Sequence, residues 1–599
     1  MTNQSSHHPT TIGKIWGLLT PPERKSTVIL LLLMFIGMSL EILVVGLVIP
    51  ALALLTQPDY ATKFPAIRPI LQTLGNPSQN ALFIGSMLAL VAIYTVKAMF
   101  LTLLAWYQAR LAYGLRAEWS HRLFSLYLRQ PYTFHLQRNS AQLIHNTVSQ
   151  VDQFTSAIVV PGMILLVESL VFLGLSVMLM TVEPLGTVIV VTVLGAAGWS
   201  FHRVTRGSMT RWGEAAQRHE ALRFHHLAQG LGGVKDVKLL GRESGFLEQF
   251  HTHTAQRARA ARLQSTLQQL PRVWLELLAV GGLAALVITM LAQGLALAAI
   301  LPTLGMFAVA AFRLLPSVNR ILGTIQLFKY AKPIIDNVYV ELSLPTPEAD
   351  THISRQAPFE RTLELHHVAY AYPGAANQAL SNITLTIQRG ESVGFVGPSG
   401  AGKSTLVDIL LGLLTPVDGE VRVDGHDIQS GLRHWQDQIG YVPQAIFLTD
   451  DTLRRNVAFG LPNAQIEEAA VRRAIRAAQL EEFVDGLPAG LDTVVGERGV
   501  RLSGGQRQRI GIARALYHDP AVLVLDEATS ALDTATERGV MEAVRALQGT
   551  KTVIIVAHRL STVQYCSRLY RLEKGRMVEP GGYSEAPEYQ KVQTEPNRR

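Results

Sequence analysis

Six long apolar runs set the strongest limit on what this chain can fold into. They begin near Val28, Ala81, Ile158, Leu185, Val273 and Ala296. Because roughly 20 apolar residues span the ~30 Å hydrocarbon core of a bilayer as a helix, these runs predict six transmembrane helices. All of them lie before residue 344, and the remainder has the composition of an ordinary soluble α/β domain. The sequence therefore predicts an α-helical membrane domain fused to a soluble α/β domain.

Loop charge predicts the orientation of these helices. The connection between the second and third runs contains Arg116, Arg122, Arg129 and Arg138, and the connection between the fourth and fifth is richer still. The first opposite loop carries only Lys63 and Arg68. Because Lys and Arg accumulate on the cytoplasmic side, both termini and the soluble domain are predicted to be cytoplasmic. Since these loops hold much of the basic excess behind the net charge of +8, we expect no nucleic-acid binding.

The basic connections are long and helical in composition, so helices two to five are predicted to continue well beyond the bilayer as rods. Helix breakers within residues 131–139 and 232–241 are expected to turn each pair of rods at its tip. The tips are either plain solvated turns or, as we favour, the parts that transmit motion from the soluble domain. Prolines mark residues 344–358 as a linker, which gives a membrane domain over 1–343 and a soluble domain over 359–599.

A glycine-rich loop at residues 397–404 is the first motif of the soluble domain that indicates a chemical function. It lies between a predicted strand over residues 392–396 and a predicted helix over 405–414, as a phosphate-binding P-loop requires. Backbone N–H groups at the helix start can cradle phosphates, Lys403 can reach the β- and γ-phosphates, and Ser404 can ligate Mg²⁺. The predicted nucleotide-binding residues of this loop are Gly397, Pro398, Ser399, Gly400, Ala401, Gly402, Lys403, Ser404 and Thr405.

Two carboxylates end a second apolar strand, over residues 522–527. The carboxyl ends of strands are where α/β sheets bind ligands, so we expect Asp526 to hold Mg²⁺ and Glu527 to polarise the water that attacks the γ-phosphate.

A second potential phosphate cradle precedes a helix after residue 502. A single nucleotide does not need two phosphate-binding loops from the same chain. We therefore expect this loop to close on a nucleotide that is held by the P-loop of a second copy. Its predicted nucleotide-binding residues are Ser503, Gly504, Gly505 and Gln506.

These motifs, in this order, resemble those of the ATP-binding-cassette family. The resemblance implies that Tyr372 stacks on adenine, that Gln444 senses Mg²⁺ and the membrane domain, and that residues 530–533 join two ATP sites. It also implies that His558 contacts the γ-phosphate beside the catalytic Glu527. The cofactors implied are ATP and Mg²⁺. Because every catalytic position is intact, two identical copies would form two competent sites, which favours a homodimer.

The membrane domain resembles the exporter branch of that family and, around residues 270–276 and 312–320, bacterial flippases of lipid-linked oligosaccharides of the protein-glycosylation type. This resemblance implies an ATP-driven translocase in the bacterial cytoplasmic (inner) membrane, among membrane lipids, moving a polyprenyl-pyrophosphate-linked glycan. The rival interpretations are a lipid A, phospholipid or multidrug exporter, or a regulatory ATP-binding membrane protein that moves nothing.

Charged residues inside the apolar runs suggest an anionic headgroup independently. Basic side chains can line a path for a pyrophosphate, and the candidates are Lys97, Arg272, Arg313 and Arg320. Alternatively, they pair with Glu41, Glu168 and Glu276 or extend to the interface. The family resemblance implies arginine at the position of Lys97. Lysine keeps the positive charge but lacks the planar guanidinium that binds phosphate through two hydrogen bonds. The apolar residues within 59–74 have the spacing of an amphipathic helix on the outer face of the membrane. This helix either contacts a polyprenyl tail or is a plain surface helix with no role in lipid binding.

Overall fold

The computed structural model describes residues 10–56, 79–182, 184–292, 297–346, 358–528, 534–557, 560–564 and 566–581. The chain divides into two compact units, and the main division falls between Thr346 and Pro347, inside the predicted linker. Residues 131–133 group with the second unit. The predicted outer helix at 59–74, the loop at 530–533 and His558 lie outside the described residues.

Long helices build the first unit, as the apolar runs predict. The described residues contain α1 (Thr11–Leu18), α2 (Pro21–Thr56), α3 (Gln79–Leu128), α4 (Tyr132–Gln137), α5 (Ser140–His145), α6 (Val151–Phe154), α7 (Val160–Val182), α8 (Pro184–Gly232), α9 (Val234–Leu239), α10 (Glu243–Ala292), α11 (Leu297–Tyr330) and α12 (Lys332–Leu342). Two π-helical turns, Asn146–Gln150 and Thr155–Val159, join α5, α6 and α7 into one continuous helix. Each of the six predicted spans therefore lies in a long helix.

Hydropathy identifies four membrane-crossing candidates among the described residues. They are Pro21–Val44, Met87–Leu128, Ser140–Thr181 and Thr187–Gly232. The two remaining predicted spans lie in α10 and α11, where several side chains are not among those that the structure describes. The first unit is a multi-pass helical membrane domain.

The predicted rods are confirmed by the lengths of the helices. The helices α3, α8 and α10 contain 50, 49 and 50 residues. At a rise of 1.5 Å per residue, each is roughly 75 Å long, more than twice the hydrocarbon thickness. Short helices make the two tips: α4 lies between α3 and α5, and α9 lies between α8 and α10. Gly241 ends the second tip with a φ of 61°, which favours glycine.

A buried cluster holds the rods together on the side of the tips. The rings of Trp119 and Phe154 lie 5.1 Å apart, centroid to centroid. A polar network crosses the same region, where the Tyr127 hydroxyl donates to Glu341 Oε2 at 2.8 Å and Arg138 pairs with Glu341 at 2.6 Å. Because both partners of Glu341 come from the α3–α4 region, this network fixes the first tip against α12.

Two sheets build the second unit. In the first, β1 (Thr362–Tyr370), β2 (Leu380–Gln388), β4 (Asp418–Val423) and β5 (His426–Asp427) pair antiparallel in the order β2-β1-β4-β5. In the second, the order is β10-β9-β3-β8-β7-β6, parallel except for the β10–β9 pair. Its strands are β3 (Ser392–Val396), β6 (Ile439–Val442), β7 (Val522–Asp526), β8 (Thr552–Val556), β9 (Arg568–Glu573) and β10 (Arg576–Gly581).

Helices cover the parallel sheet, because strands β3, β7 and β8 are almost continuously apolar and must be buried on both faces. The described helices of this unit are α13 (Lys403–Leu410), α14 (Leu432–Asp437), α15 (Leu453–Val457), α16 (Glu468–Ala477), α17 (Glu481–Asp485), α18 (Gly504–Leu516), α19 (Thr534–Arg545) and α20 (Leu560–Val563). The unit is an α/β domain, and the predicted fold class is confirmed.

Candidate nucleotide-binding site

Strand order brings the predicted ATP-site residues to one edge of the parallel sheet. The strands β3, β8, β7 and β6 are parallel neighbours, so their carboxyl ends meet at the same edge. The P-loop follows β3, Asp526 ends β7, and Gln444 comes two residues after β6. His558 follows β8 in the sequence but lies outside the described residues.

Glycine conformation shapes the P-loop. Gly397 has a φ of 151°, and a Cβ there would lie 2.2 Å from the Leu572 carbonyl oxygen. Gly402 has a φ of 100° and caps α13, so the first helical residue is Lys403. The sequence-based start at Thr405 is therefore wrong by two residues, and the predicted end at Leu414 is also wrong, since α13 ends at Leu410. The left-handed Gly402 turns the chain into the helix earlier than apolar periodicity indicates.

Lys403 is buried at the base of this loop. Its Nζ donates to the carbonyl oxygens of Gly397 and Pro398, at 2.8 and 3.0 Å. Burial lowers the pKa of Lys403, whereas the nearby carboxylates of Glu527 and Asp526 act to raise it. The ammonium group is thus held within the loop that would surround the phosphates.

The two carboxylates after β7 have different surroundings. Asp526 is buried, and the Tyr441 hydroxyl donates to its Oδ2 at 3.4 Å. Glu527 has a φ of 47°, which is unusual for a residue with a side chain, and its N–H donates to the Val556 carbonyl at 2.9 Å. This conformation costs about 1–3 kcal/mol and directs the chain off the sheet at the place where a general base is needed.

Gln444 and Glu527 are in direct contact. Gln444 Nε2 donates to Glu527 Oε2 at 2.7 Å. Two residues 83 positions apart, singled out separately from the sequence, therefore belong to one arrangement. This hydrogen bond orients the Glu527 carboxylate and links it to the segment that follows β6.

Sequence reasoning missed two groups beside these carboxylates. Tyr441 lies on β6 opposite Val524 of β7, and burial together with Asp526 raises its pKa. Asp408, on α13, has its pKa raised to about 6 by burial and by the nearby Asp526 charge. No local motif marks either residue, because their position depends on which strands and helices become neighbours.

Tyr372 lies beside the start of the P-loop helix. Its hydroxyl is 3.1 Å from Thr405 Oγ1, and its ring packs edge-on against Tyr370 with centroids 5.1 Å apart. The structure thus brings together a predicted residue that follows β1 of the antiparallel sheet and one from the P-loop. Stacking on adenine remains a prediction.

Ser503 caps α18 with a reciprocal pair of hydrogen bonds. Its Oγ accepts from the Gln506 N–H at 3.2 Å, and Gln506 Oε1 accepts from the Ser503 N–H at 2.8 Å. Gly504 and Gly505 are consequently the first residues of the helix, whose N-terminus favours an anion. The predicted second cradle is a rigid, capped helix start.

The basic candidates of the membrane unit lie in two kinds of ion pair. Lys97 Nζ is 2.8 Å from Glu41 Oε2, and both side chains are largely buried. Arg320 pairs with Glu168 at 2.7 Å, while Arg272 pairs with Glu276 at 2.9 Å and is 73% exposed. The alternative of pairing with Glu41, Glu168 and Glu276 is what the structure shows for these three residues. Arg313 lies in α11, but its side chain is outside the described part of the chain.

Replacing Lys97 with methionine should destabilise the membrane unit. The Glu41 carboxylate, 3% exposed, would lose its ammonium partner, and breaking a buried pair costs about 3–5 kcal/mol. Thermal unfolding of the purified protein should show a clear fall in Tm. The matched control is Arg272→Gln in the exposed pair, which should cost about 1 kcal/mol or less.

The double variant Lys97→Met with Glu41→Leu separates stability from transport. It should regain most of the lost stability, because no charge is then buried without its partner. A Lys97→Met protein as stable as wild type would contradict a structural role for the pair. Loss of transport in the stable double variant would instead support contact between Lys97 and the substrate.

The fold and site together define a membrane-embedded ATPase with its nucleotide domain after its membrane domain. Residues 66–310 match the family described as ABC transporter transmembrane region, and residues 380–530 match the family described as ABC transporter. The chain belongs to the ABC transporter family and has the exporter arrangement. It is an ATP-coupled translocase.

Similarity to two relatives supports the family assignment. The chain is 34% identical over 495 residues to an ATP-dependent lipid A-core flippase of Alkalilimnicola ehrlichii, covering 80% of this chain and 81% of the relative. It is 40% identical over 275 residues to the heterocyst differentiation ATP-binding protein HepA of a Nostoc species, covering 46% and 45%. These relatives do not carry the protein-glycosylation flippase name that the sequence motifs suggested.

A solved structure shares the whole fold. A bacterial Atm1-family ABC exporter with ATP bound aligns with a TM-score of 0.78, covering 96% of this chain and 99% of that one. Its sequence is 24% identical, so the likeness establishes the fold alone.

Proposed function

We propose that this chain forms a homodimeric flippase that uses ATP to move a phosphate-bearing glycolipid of the lipid A-core type across the bacterial inner membrane. The observation that carries the proposal is the 34% identity to a lipid A-core flippase over four fifths of both chains. The exposed Arg272 adds chemical support, because its partner Glu276 is also exposed and a guanidinium group can exchange an exposed carboxylate for a phosphate.

In the proposed cycle, ATP joins two soluble domains. The P-loop and Lys403 of one copy hold the phosphates, and the capped Ser503 loop of the other copy closes on the γ-phosphate. Glu527, oriented by Gln444, accepts a proton from the attacking water. ATP binding closes the dimer, and hydrolysis reopens it.

The chain has suitable residues for Mg²⁺ beside the phosphates. The Ser404 hydroxyl is exposed at the start of α13, and Asp526 supplies a buried carboxylate that already accepts a hydrogen bond from Tyr441. Gln444, two residues beyond β6, adds an amide oxygen from the same edge of the sheet. Oxygen ligands of this kind suit Mg²⁺, which would neutralise charge on the phosphates.

The rods are proposed to carry the closing motion to the membrane. Residues 131–133, in the first tip, belong to the same compact unit as the nucleotide domain. The Arg138–Glu341 pair and the Tyr127–Glu341 hydrogen bond tie that tip to α12. Movement of the tip would thus reach α3 and α12 together. This supports the interpretation of the tips as transmission elements.

A polyprenyl-pyrophosphate-linked oligosaccharide is the second candidate substrate. The motif segments at 270–276 and 312–320 favour it, and both substrates carry phosphate near the membrane surface. The arginine candidates therefore do not separate the two. The size and type of the lipid tail do.

Reconstituted protein can distinguish these substrates. With liposomes containing lipid A-core, we expect faster ATP hydrolysis and ATP-dependent movement of the glycolipid between leaflets. Polyprenyl-pyrophosphate glycans tested at equal concentration should have a smaller effect, and apolar drugs should have none. Stimulation by the polyprenyl substrate alone would favour the second candidate, and absence of any ATP-dependent lipid movement would contradict both.

A further inference from the structure

A cavity of 580 Å³ lies between the start of α2 and the middle of α3, apart from the ATP site and from the α10 and α11 arginines. Its size is within the range of small-ligand sites. Residues of both charge signs and several hydroxyl groups line it: Thr20, Glu23, Ser26, Tyr107, Arg110 and Glu118. Such a mixed lining suits a ligand that carries both a positive and a negative group.

Aromatic and basic residues place the cavity at the level of lipid headgroups. Trp16 and Trp106 are 43% and 56% exposed. The Arg24 guanidinium lies 5.7 Å from the Trp16 ring centre, and that of Arg110 lies 5.3 Å from the Trp106 ring centre. Exposed tryptophan with arginine is typical of a membrane interface, and the loop charge predicts that this one is cytoplasmic.

The turn before α2 is held firmly beside the cavity. Arg122 on α3 donates to the Leu18 carbonyl at 3.0 Å, and Leu18 and Leu19 are buried. The Thr20 N–H donates to Glu23 Oε2 at 2.6 Å. The cavity wall formed by this turn is therefore fixed before any ligand binds, which lowers the entropic cost of binding.

The unmatched groups in the wall indicate the ligand. Glu23 Oε1 is buried and has no hydrogen-bond partner among the described residues. A buried carboxylate oxygen without a donor is costly, and an ammonium group would supply one. Among the residues that the structure describes, no carboxylate pairs with Arg110. The planar guanidinium group of Arg110 suits a phosphate.

We propose that this cavity binds the headgroup of a zwitterionic aminophospholipid from the cytoplasmic leaflet. The ammonium group lies at Glu23 and Glu118, the phosphate lies at Arg110, and the acyl chains remain in the bilayer beside α2 and α3. This lipid is distinct from the transported glycolipid, because the cavity lies apart from the α10 and α11 arginines and Lys97 does not line it.

Gly114 offers a direct test because it lines the cavity, and a Cβ added there meets nothing within 4 Å. A Gly114→Phe ring should fill the cavity without disturbing the helix. The matched control is Gly207→Phe on α8, where a Cβ also meets nothing within 4 Å. Native mass spectrometry of the full-length protein with added phosphatidylethanolamine should show affinity at least about tenfold weaker for Gly114→Phe. Gly207→Phe should match wild type.

A charge variant and two other lipids test the headgroup chemistry. Glu23→Gln should weaken phosphatidylethanolamine binding by about tenfold or more, as expected for loss of a hydrogen bond to a charged group. Wild type should bind phosphatidylcholine, which has no N–H donor, and phosphatidylglycerol, which has no cation, more weakly. Equal binding of phosphatidylglycerol and phosphatidylethanolamine would overturn the proposal, as would unchanged binding by Gly114→Phe.

ATP hydrolysis stimulated by the transported glycolipid separates this proposal from the proposed function. Gly114→Phe should keep that stimulation while losing phosphatidylethanolamine binding. Loss of both together would mean that the cavity serves the transported substrate, and the proposal of a separate lipid would fail. Failure of glycolipid stimulation in wild type would count against the proposed function without affecting the lipid-binding result.

Discussion

Glu527→Gln protein should bind ATP normally but hydrolyse it about 10²–10³-fold more slowly than wild type, since a positioned general base contributes rates of that order. The fold should be kept, because a glutamine oxygen can still accept the 2.7 Å hydrogen bond from Gln444. Only the ability to take a proton from water is removed. Steady-state phosphate release and equilibrium ATP binding measure the two quantities separately.

The matched control for Glu527 is Glu482→Gln, which changes an exposed carboxylate of α17. Its turnover should equal that of wild type. If Glu527→Gln hydrolyses ATP at the wild-type rate, Glu527 is not the base. Loss of ATP binding as well as hydrolysis would assign it a role in holding the nucleotide instead.

Two inactive chains should restore activity when they are combined in one dimer. Lys403→Ala removes the phosphate-binding ammonium, and Gly504→Asp places a carboxylate where the γ-phosphate is expected to meet α18. Each change alone should lower turnover by about 10²-fold or more. An acidic residue at the first position of α18 is compatible with the helix start, so the second variant should fold. A heterodimer of the two variants has one site with both defects and one with neither, so it should hydrolyse ATP at least about tenfold faster than either parent.

The reciprocal heterodimer is the control for this experiment. A chain carrying both substitutions, paired with a wild-type chain, places one defect in each composite site and should be inactive. If each chain instead formed a complete site alone, this second heterodimer would retain the activity of its wild-type chain and the first would have none. The two heterodimers therefore give opposite results under the two arrangements, with the same substitutions present in both.

Local sequence patterns predicted several elements of the ATP site to the residue. The strand over 392–396 has the predicted bounds. The strand β7 begins at Val522 as predicted but ends at Asp526, one residue before the predicted end, because Glu527 has a φ of 47° and leaves the sheet. Ser503 precedes α18 as the two following glycines indicated, with a capping box that needs only residues three apart. The start of α13 was missed, since a left-handed glycine, rather than apolar periodicity, sets it.

Contacts between residues far apart in the sequence could not be predicted from such local patterns. The antiparallel sheet was not predicted, although the segment that follows its strand β1 places Tyr372 beside the P-loop, and the contact of Tyr441 with Asp526 was not predicted either. The sequence left open whether Lys97 faces a substrate or Glu41, and the packing of α2 against α3 answers this for the described structure with a buried ion pair. Each of these contacts joins segments that no short window includes.

The sequence by itself determined that this chain has six membrane-length apolar runs, long helical rods and an ordered set of phosphate-binding motifs. These properties depend on residues close together in the chain, where periodicity, helix caps and strand ends act. The tertiary structure alone decided which groups meet. It aligned the carboxyl ends of β3, β7 and β6, joined Gln444 to Glu527, and opened a charged cavity beside Gly114, because strand order and helix packing are set by burial across the whole fold.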